Sequence, residues 1–382
     1  MSKLTNQLAD LHKQLQQQKD TYFGYPEIPD NPSLAQLGLN GLSGIHLNNA
    51  GDPWEHGYAK LHTKYYEQQV IDFFAKMYAI SDDYWGYVTS GGTEGNLQGA
   101  YMGRELLSYH SQDKPIMIFS SSSHYSVRKI ACLLNIPFLE VPSQYNGEMD
   151  YDVLYTALQY QNRPIVIFAN LGTTMTGAFD NIPYIKELLH QTGYKEGDYY
   201  IHADGALGGL IYPFRSSSVN LFEEGLDSIS ISGHKFIGTI HPCGIFLTPN
   251  SKKQVVFSNN WVAYVGANDT TISGSRNGLH SLLIWYIIEQ IGEYGFKQRA
   301  NECIKNAQYL YEQLSYYGYK HLIFNPEQII VAFDKPTEWI CQRYQLATTH
   351  DLAHVICLPH LTQRHLDQFL SDLNKNSVIA AE

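Results

Sequence analysis

The chain has 382 residues, 44% of them hydrophobic and only 16% charged, which is enough apolar mass for one large core with a smaller one beside it. Its formal charge of -11 argues against a nucleic acid or an anionic membrane surface as partner, since a net anion gains neither attraction nor counterion release from them; a small molecule is the expected ligand. The cysteines, Cys132, Cys243, Cys303, Cys341 and Cys357, are odd in number without CxxC spacing, so neither a disulfide framework nor a metal site is expected.

Leu4, Leu8, Leu11 and Leu15 recur at helical spacing in a polar stretch, and an apolar stripe of this kind needs a cover, which a homodimer partner would supply. The first twenty residues hold no apolar leader and no segment has about 18 uninterrupted apolar residues, so the chain is expected to work in the cytoplasm with no membrane contact. Residues 24–57, rich in Gly, Pro and Asn, predict irregular chain, after which Val70, Ile71, Phe74, Met77 and Tyr78 mark one face of a helix. From there short apolar runs alternate with helical ones. "PIMIF" at 115–119, "IPFLEV" at 136–141, "PIVIFAN" at 164–170, "YYIHAD" at 199–204 and "LDSISIS" at 226–232 read as strands, with helices expected over 124–135, 151–160 and 183–191. This alternation predicts an α/β fold with a mostly parallel sheet covered on both faces. After Arg276 come a helical tract over 281–316, the strand-like "EQIIVAF" and "LAHVICL", and a last helix near 361–373, a small α+β unit. The expected organisation is an arm and irregular segment at 1–60, a large domain at 61–275 and a small C-terminal domain at 276–382.

In such sheets ligands bind beyond the carboxyl ends of the strands, so the residues that end each apolar run carry the chemistry. In "VTSGGTEGN" at 88–96, Gly91, Gly92 and Thr93 lead into a helix whose N-terminal N–H groups suit an oxyanion; a plain capped turn fits the same residues. No Gly-Lys-Ser/Thr follows, which excludes a nucleotide P-loop. Asp204 ends a buried strand beside small residues that leave room for a flat ligand, or it caps a helix. His124 in "SSSSHYS" opens a helix, where a capping or surface role is equally open. Lys235 leaves the Ser/Ile alternation of 228–232 through Gly233 and is followed by apolar Phe236 and Ile237, so it points inward, and a buried ammonium is costly unless something uses it. Together a phosphate cradle, an aspartate, a flat imidazole and a buried lysine are the parts that hold pyridoxal phosphate.

The ordered series "WGYVTSGGTEGN", "HYSV", "NLGTTMTGA", "IHADGALGG", "SGHKFIG", "PCGI" and "GSRNG" resembles the group II pyridoxal-phosphate amino-acid decarboxylases of the aspartate aminotransferase fold (fold type I), and within them the bacterial histidine and plant serine decarboxylases. The likeness runs from about Gly24 to the last helix. It implies that Lys235 bonds covalently to pyridoxal 5'-phosphate, that Ser232, His234, Gly91, Gly92 and Thr93 hold its phosphate, that His124 stacks on the ring, that Asp204 pairs with the ring nitrogen and that Thr173 lies beside it. Lys235 and His124 would be catalytic, and His124, Asn49, Tyr264 and Arg276 would meet the substrate. The proton returned to Cα would come from His124, with Tyr264 or a water as the alternative. The implied reaction is decarboxylation of an L-amino acid, histidine first, with serine decarboxylation or transamination as alternatives.

Overall fold

The computed structural model describes residues 3–379 except 36, 38–41, 43, 82 and 112. Helix α1 (Lys3–Gln18) opens the chain, with Leu11 49% and Leu15 60% exposed; the side chains of Leu4 and Leu8 fall outside the described residues. The short α2 (Pro32–Ala35) and α3 (Lys64–Met77) follow.

Seven strands make one sheet: β1 (Tyr84–Thr89), β2 (Ile116–Ser120), β3 (Phe138–Val141), β4 (Ile165–Asn170), β5 (Tyr199–Asp204), β6 (Ser228–Ser232) and β7 (Gly244–Pro249). Their order is β1-β7-β6-β5-β4-β2-β3. From β6 to β3 all neighbours are parallel, while β7 runs antiparallel to both β6 and β1. Between the strands lie α4 (Gly92–His110), α5 (Ser126–Leu133), α6 (Tyr151–Gln159) and α7 (Ile182–Gln191); after β7 come α8 (Asn250–Val256) and a hairpin of β8 (Trp261–Val262) and β9 (Ala267–Asn268). Side chains set the helix starts: Asp150 accepts from the N–H groups of Asp152 and Val153, and Asn181 from that of Tyr184.

The period-two rule assigns the strand residues to two cores. Ile165, Ile167 and Ala169 of β4 join Ile118, Ile201 and Ile229 beneath α3, α6 and α7, whereas Val166 and Phe168 join Met117, Phe119, Tyr200 and Phe246 beneath α4 and α5. Each large side chain fully buried this way contributes about 1.5–3 kcal/mol of transfer free energy. Helix α4 lies so close on β5 that a Cβ at Gly99 would sit 2.2 Å from Nδ1 of His202.

Beyond the sheet run α9 (Gly278–Tyr316), β10 (Ile330–Asp334), α10 (Glu338–Arg343), β11 (Ala347–Thr348), β12 (Leu352–Ile356) and α11 (Gln363–Ile379), with β10, β12 and β11 forming a second, antiparallel sheet. Helix α9 is capped by the Asn277 side chain and kinks at Gly292 (φ 57°, ψ -175°). Before the kink Leu283, Ile284 and Ile287 pack on the large core; after it Ala307, Leu310 and Leu314 pack with Phe23, Phe333, Val355 and Phe369 in the second core.

Candidate functional site

Strands β4, β5 and β6 end in Asn170, Asp204 and Ser232, and the chain beyond β2 carries His124, so the polar residues that stop each apolar run meet at one end of the sheet. Gly91, Gly92, Thr93, His124, Thr173, Asp204, Ser232, His234 and Lys235 all line one cavity of about 560 Å³ there, within the size range of cofactor sites.

Lys235 sits in a wide π-type turn, Gly233–Ile237, directly after β6, where its backbone (φ -88°, ψ -108°) leaves the helical region. Burial pushes its pKa down against the opposing fields of Asp204 and Glu27, and its amine has no hydrogen-bond or ion-pair partner among the described residues. The Nδ1 of His234 donates to the Cys243 carbonyl at 3.0 Å, leaving Nε2 as its remaining polar atom. His124 places Nδ1 2.7 Å from Oγ of Ser126, and its pKa is lowered by burial, with Asp204 pulling it up and Lys235 down. Thr173 accepts from the Ala178 N–H and shares a hydroxyl contact of 2.9 Å with Thr176. Asp204 takes the N–H of Ala206 on Oδ1 at 3.1 Å and Nδ2 of Asn96 on Oδ2 at 2.8 Å.

These residues fit pyridoxal 5'-phosphate. Helix α4 begins at Gly92 with its N-terminus against the cavity, and a Cβ there would stand 2.7 Å from Oγ of Ser232, filling the cradle. Glu94 folds back to accept from the N–H and hydroxyl of Ser90, the residue before the Gly91 N-cap, which fixes this turn. The unpartnered amine of Lys235, the carboxylate of Asp204 and the flat ring of His124 complete a donor set for an aldehyde, a pyridine nitrogen and a ring face. When bound, the cofactor supplies the electron sink for a bond broken at Cα.

Three residues expected to meet the substrate, Asn49, Arg276 and Tyr264, are not among those lining this cavity. Asn49 is wholly buried, donating to Oε2 of Glu67 at 2.8 Å and accepting the N–H of Thr63 at 2.8 Å. Arg276 is buried too, paired with the same Glu67, whose Oε1 also accepts the Val88 N–H. Both are spent on tying the loops to β1, and neither is among the cavity walls. Tyr264, between β8 and β9, is 86% exposed.

The opposite wall comes from segments without a motif. Gly24, Tyr25, Pro26 and Glu27 line the cavity, as does His354 of β12. Tyr22 donates its hydroxyl to Oε2 of Glu27 at 3.0 Å. His354 is buried between two carbonyls, with Nε2 2.8 Å from that of Gly24 and Nδ1 3.1 Å from that of Met175; burial lowers its pKa while both carbonyls raise it.

A doubly covered, mostly parallel sheet with its ligand groups gathered beyond the carboxyl ends places the molecule among the fold type I pyridoxal-phosphate enzymes. Its fold matches L-methionine decarboxylase from Streptomyces sp.590 with a TM-score of 0.88 at 24% identity, over 99% of this chain and 97% of that one. Glutamate decarboxylase from Lactobacillus brevis superposes with a TM-score of 0.79 at 18% identity, over 98% and 92% of the two chains. In sequence, the chain is 40% identical over 362 residues to histidine decarboxylase of Acinetobacter baumannii (strain ACICU), covering 93% of this chain and 91% of that protein. It is 38% identical to serine decarboxylase 3 of Oryza sativa subsp. japonica, over 93% and 78%. Residues 67–335 match the pyridoxal-dependent decarboxylase conserved domain, and the chain belongs to that family. It is a lyase that uses pyridoxal 5'-phosphate to decarboxylate an amino acid. The α/β class, the cofactor and the reaction type expected from the sequence are thereby borne out. No helix among the described residues is long and apolar enough to cross a membrane.

Proposed function

We propose that the enzyme converts L-histidine to histamine and CO2, with Lys235 as the covalent anchor of the cofactor, Asp204 as partner of the ring nitrogen, His124 stacked on the ring, and Gly91, Gly92, Thr93, Ser232 and His234 around the phosphate. The observation that carries the substrate is Glu27. Of the carboxylates on the cavity wall, Asp204 is held by Asn96 and Ala206, and Glu94 by Ser90, whereas among the described residues Glu27 accepts from Tyr22 alone. An oxygen of Glu27 is thus open to an imidazole N–H, and a group built to receive that proton is left unpaired by a serine side chain. The likeness to bacterial histidine decarboxylases supports the same reading. We also read the protein as a cytoplasmic homodimer, in which a second copy covers the exposed Leu11 and Leu15 of α1; light scattering of the loaded enzyme checks this.

Product analysis with purified, cofactor-loaded protein tests the substrate. Histamine formation should exceed ethanolamine formation from serine by about a hundredfold in specificity constant, and Glu27→Gln should lower kcat/KM for histidine by about tenfold while leaving serine nearly unchanged. The reverse preference would assign serine as the substrate and leave the decarboxylase assignment untouched.

A further inference from the structure

His202 and Asp204 are two apart on β5 and so share the face that meets α4, where Asn96 lies one turn from Gly99. The parallel pairing of β5 with β6 sets Ser228 beside His202. All four side chains are buried and form one file: Ser228 Oγ lies 2.7 Å from Nδ1 of His202, Nε2 of His202 lies 3.0 Å from Oδ1 of Asn96, and Nδ2 of Asn96 lies 2.8 Å from Oδ2 of Asp204.

The proton positions in this file follow from its end. A carboxylate only accepts, so Asn96 turns its amide nitrogen to Asp204 and its carbonyl oxygen to His202. Nε2 of His202 must then donate. Burial in the layer of Phe168 and Phe246 drives the His202 pKa down to about 3, so the ring is neutral and Nδ1 accepts the hydroxyl proton of Ser228. Every bond therefore runs one way, from Ser228 to Asp204. The file is packed too tightly to turn over, because even a Cβ at Gly99 would strike the imidazole.

We propose that His202 and Asn96 are positioning residues that aim and brace the Asp204 carboxylate, and through it keep the cofactor's ring nitrogen protonated. The proposal rests on Asp204 being the partner of that nitrogen. Asp204 lines the cavity with Oδ2 bonded by Asn96 and Oδ1 by the Ala206 N–H, and each oxygen keeps a lone pair for a further donor. A donor to a carboxylate favours its charged form, so losing the Asn96 amide weakens the partner that the ring proton needs.

The test is the titration of the ring nitrogen in holoenzyme loaded with ¹⁵N-labelled pyridoxal phosphate, followed by its NMR shift, with the visible absorbance recorded in parallel. Asn96→Leu keeps the outline of the side chain without its hydrogen bonds and should lower the pH at which the ring proton is lost by about one unit or more. His202→Gln retains an amide donor toward Asn96 and should titrate close to wild type. Ser228→Ala, a small change in a buried strand, leaves Nδ1 of His202 without its donor and loosens the ring that braces Asn96, so it should shift the titration the same way by less, which keeps the test open should Asn96→Leu not fold. Asp204→Asn is the reference. If it removes the ring proton while Asn96→Leu and Ser228→Ala titrate as wild type, the positioning file is wrong; if Asp204→Asn itself titrates as wild type, the assignment of Asp204 fails and the file falls with it.

Discussion

The two walls of the cavity are held by different means. The floor, at the ends of β4 and β5, is braced from within one sheet and its covering helix: Asn170 donates Nδ2 to Asp180 at 2.8 Å, and Asp204 is fixed by Asn96 and Ala206. The facing wall, Gly24 to Glu27, is strapped on from a distance. His354 reaches the Gly24 carbonyl across 330 positions of chain, and Asn31 donates to the Gly238 carbonyl at 2.8 Å. Opening the floor means opening the sheet, whereas the strap is anchored outside that sheet, through Phe23 in the second core and its backbone bonds to Tyr344 and Ile356. Chemistry that needs fixed geometry belongs on the first, and passage of substrate on the second.

The largest expected effect lies on the floor. Lys235→Ala should cut turnover at least a thousandfold, about 4 kcal/mol of barrier, and abolish the visible absorption of the bound cofactor, since the cavity wall holds no other lysine. CO2 release above a thousandth of wild type would move the covalent anchor elsewhere.

Next comes acid sensitivity. His202 is held near pKa 3, against 6.5 ordinarily, so the unfolded chain takes up a proton as the pH falls through about 6.5 and the folded chain does not until about 3. Its contribution is complete above 6.5 and drains away on acidification, costing about 3 kcal/mol by pH 4. Urea denaturation at pH 7 and pH 4 should show His202→Gln losing less stability than wild type by roughly that amount. Equal losses would mean that the floor is not sealed around a neutral ring.

The smallest effect belongs to the strap. His354→Phe fills similar space but removes the one N–H that the neutral ring donates to the Gly24 or Met175 carbonyl, at a cost of about 1–3 kcal/mol. KM for the amino acid should rise about tenfold with kcat less affected, and limited proteolysis should cut first within residues 24–28. Unfolding of the whole chain at the same protease exposure would erase the distinction between the two walls.

The floor was legible in the sequence because there local pattern and chemistry coincide. Apolar runs stop at Asp204 and Ser232, glycines precede Thr93, and a lysine follows a strand where burial penalises its charge. The strap was not legible, since Glu27 and His354 carry no local signal and meet the site only through contacts hundreds of residues long. "WGYVT" and "GIFLTP" are not among the strands expected from the sequence, although at six residues β1 and β7 are longer than β2, β3 and β6; both adjoin glycine-rich turns, and their antiparallel pairing is a tertiary fact. The family resemblance implies substrate contacts for Asn49 and Arg276; in the structure a single buried carboxylate, Glu67, bonds both. The signal that could have found it is an acidic residue on the apolar face of α3, where only a buried partner makes it tolerable.

Strand β7 also governs when the sheet comes into being. It slots between β1 and β6, with Tyr84 opposite Pro249, 165 positions later. The Gly91–Thr93 turn emerges from β1 and Lys235 from β6; Ser230 Oγ of β6 donates to the Gly92 carbonyl at 3.2 Å, and β7 fills the sheet between the two strands. On a ribosome adding about 5–20 residues each second, β1 waits on the order of ten to thirty seconds for β7. The nascent enzyme therefore completes its sheet late, at residue 249, and its cavity later still, when His354 and Ile356 arrive to close the facing wall.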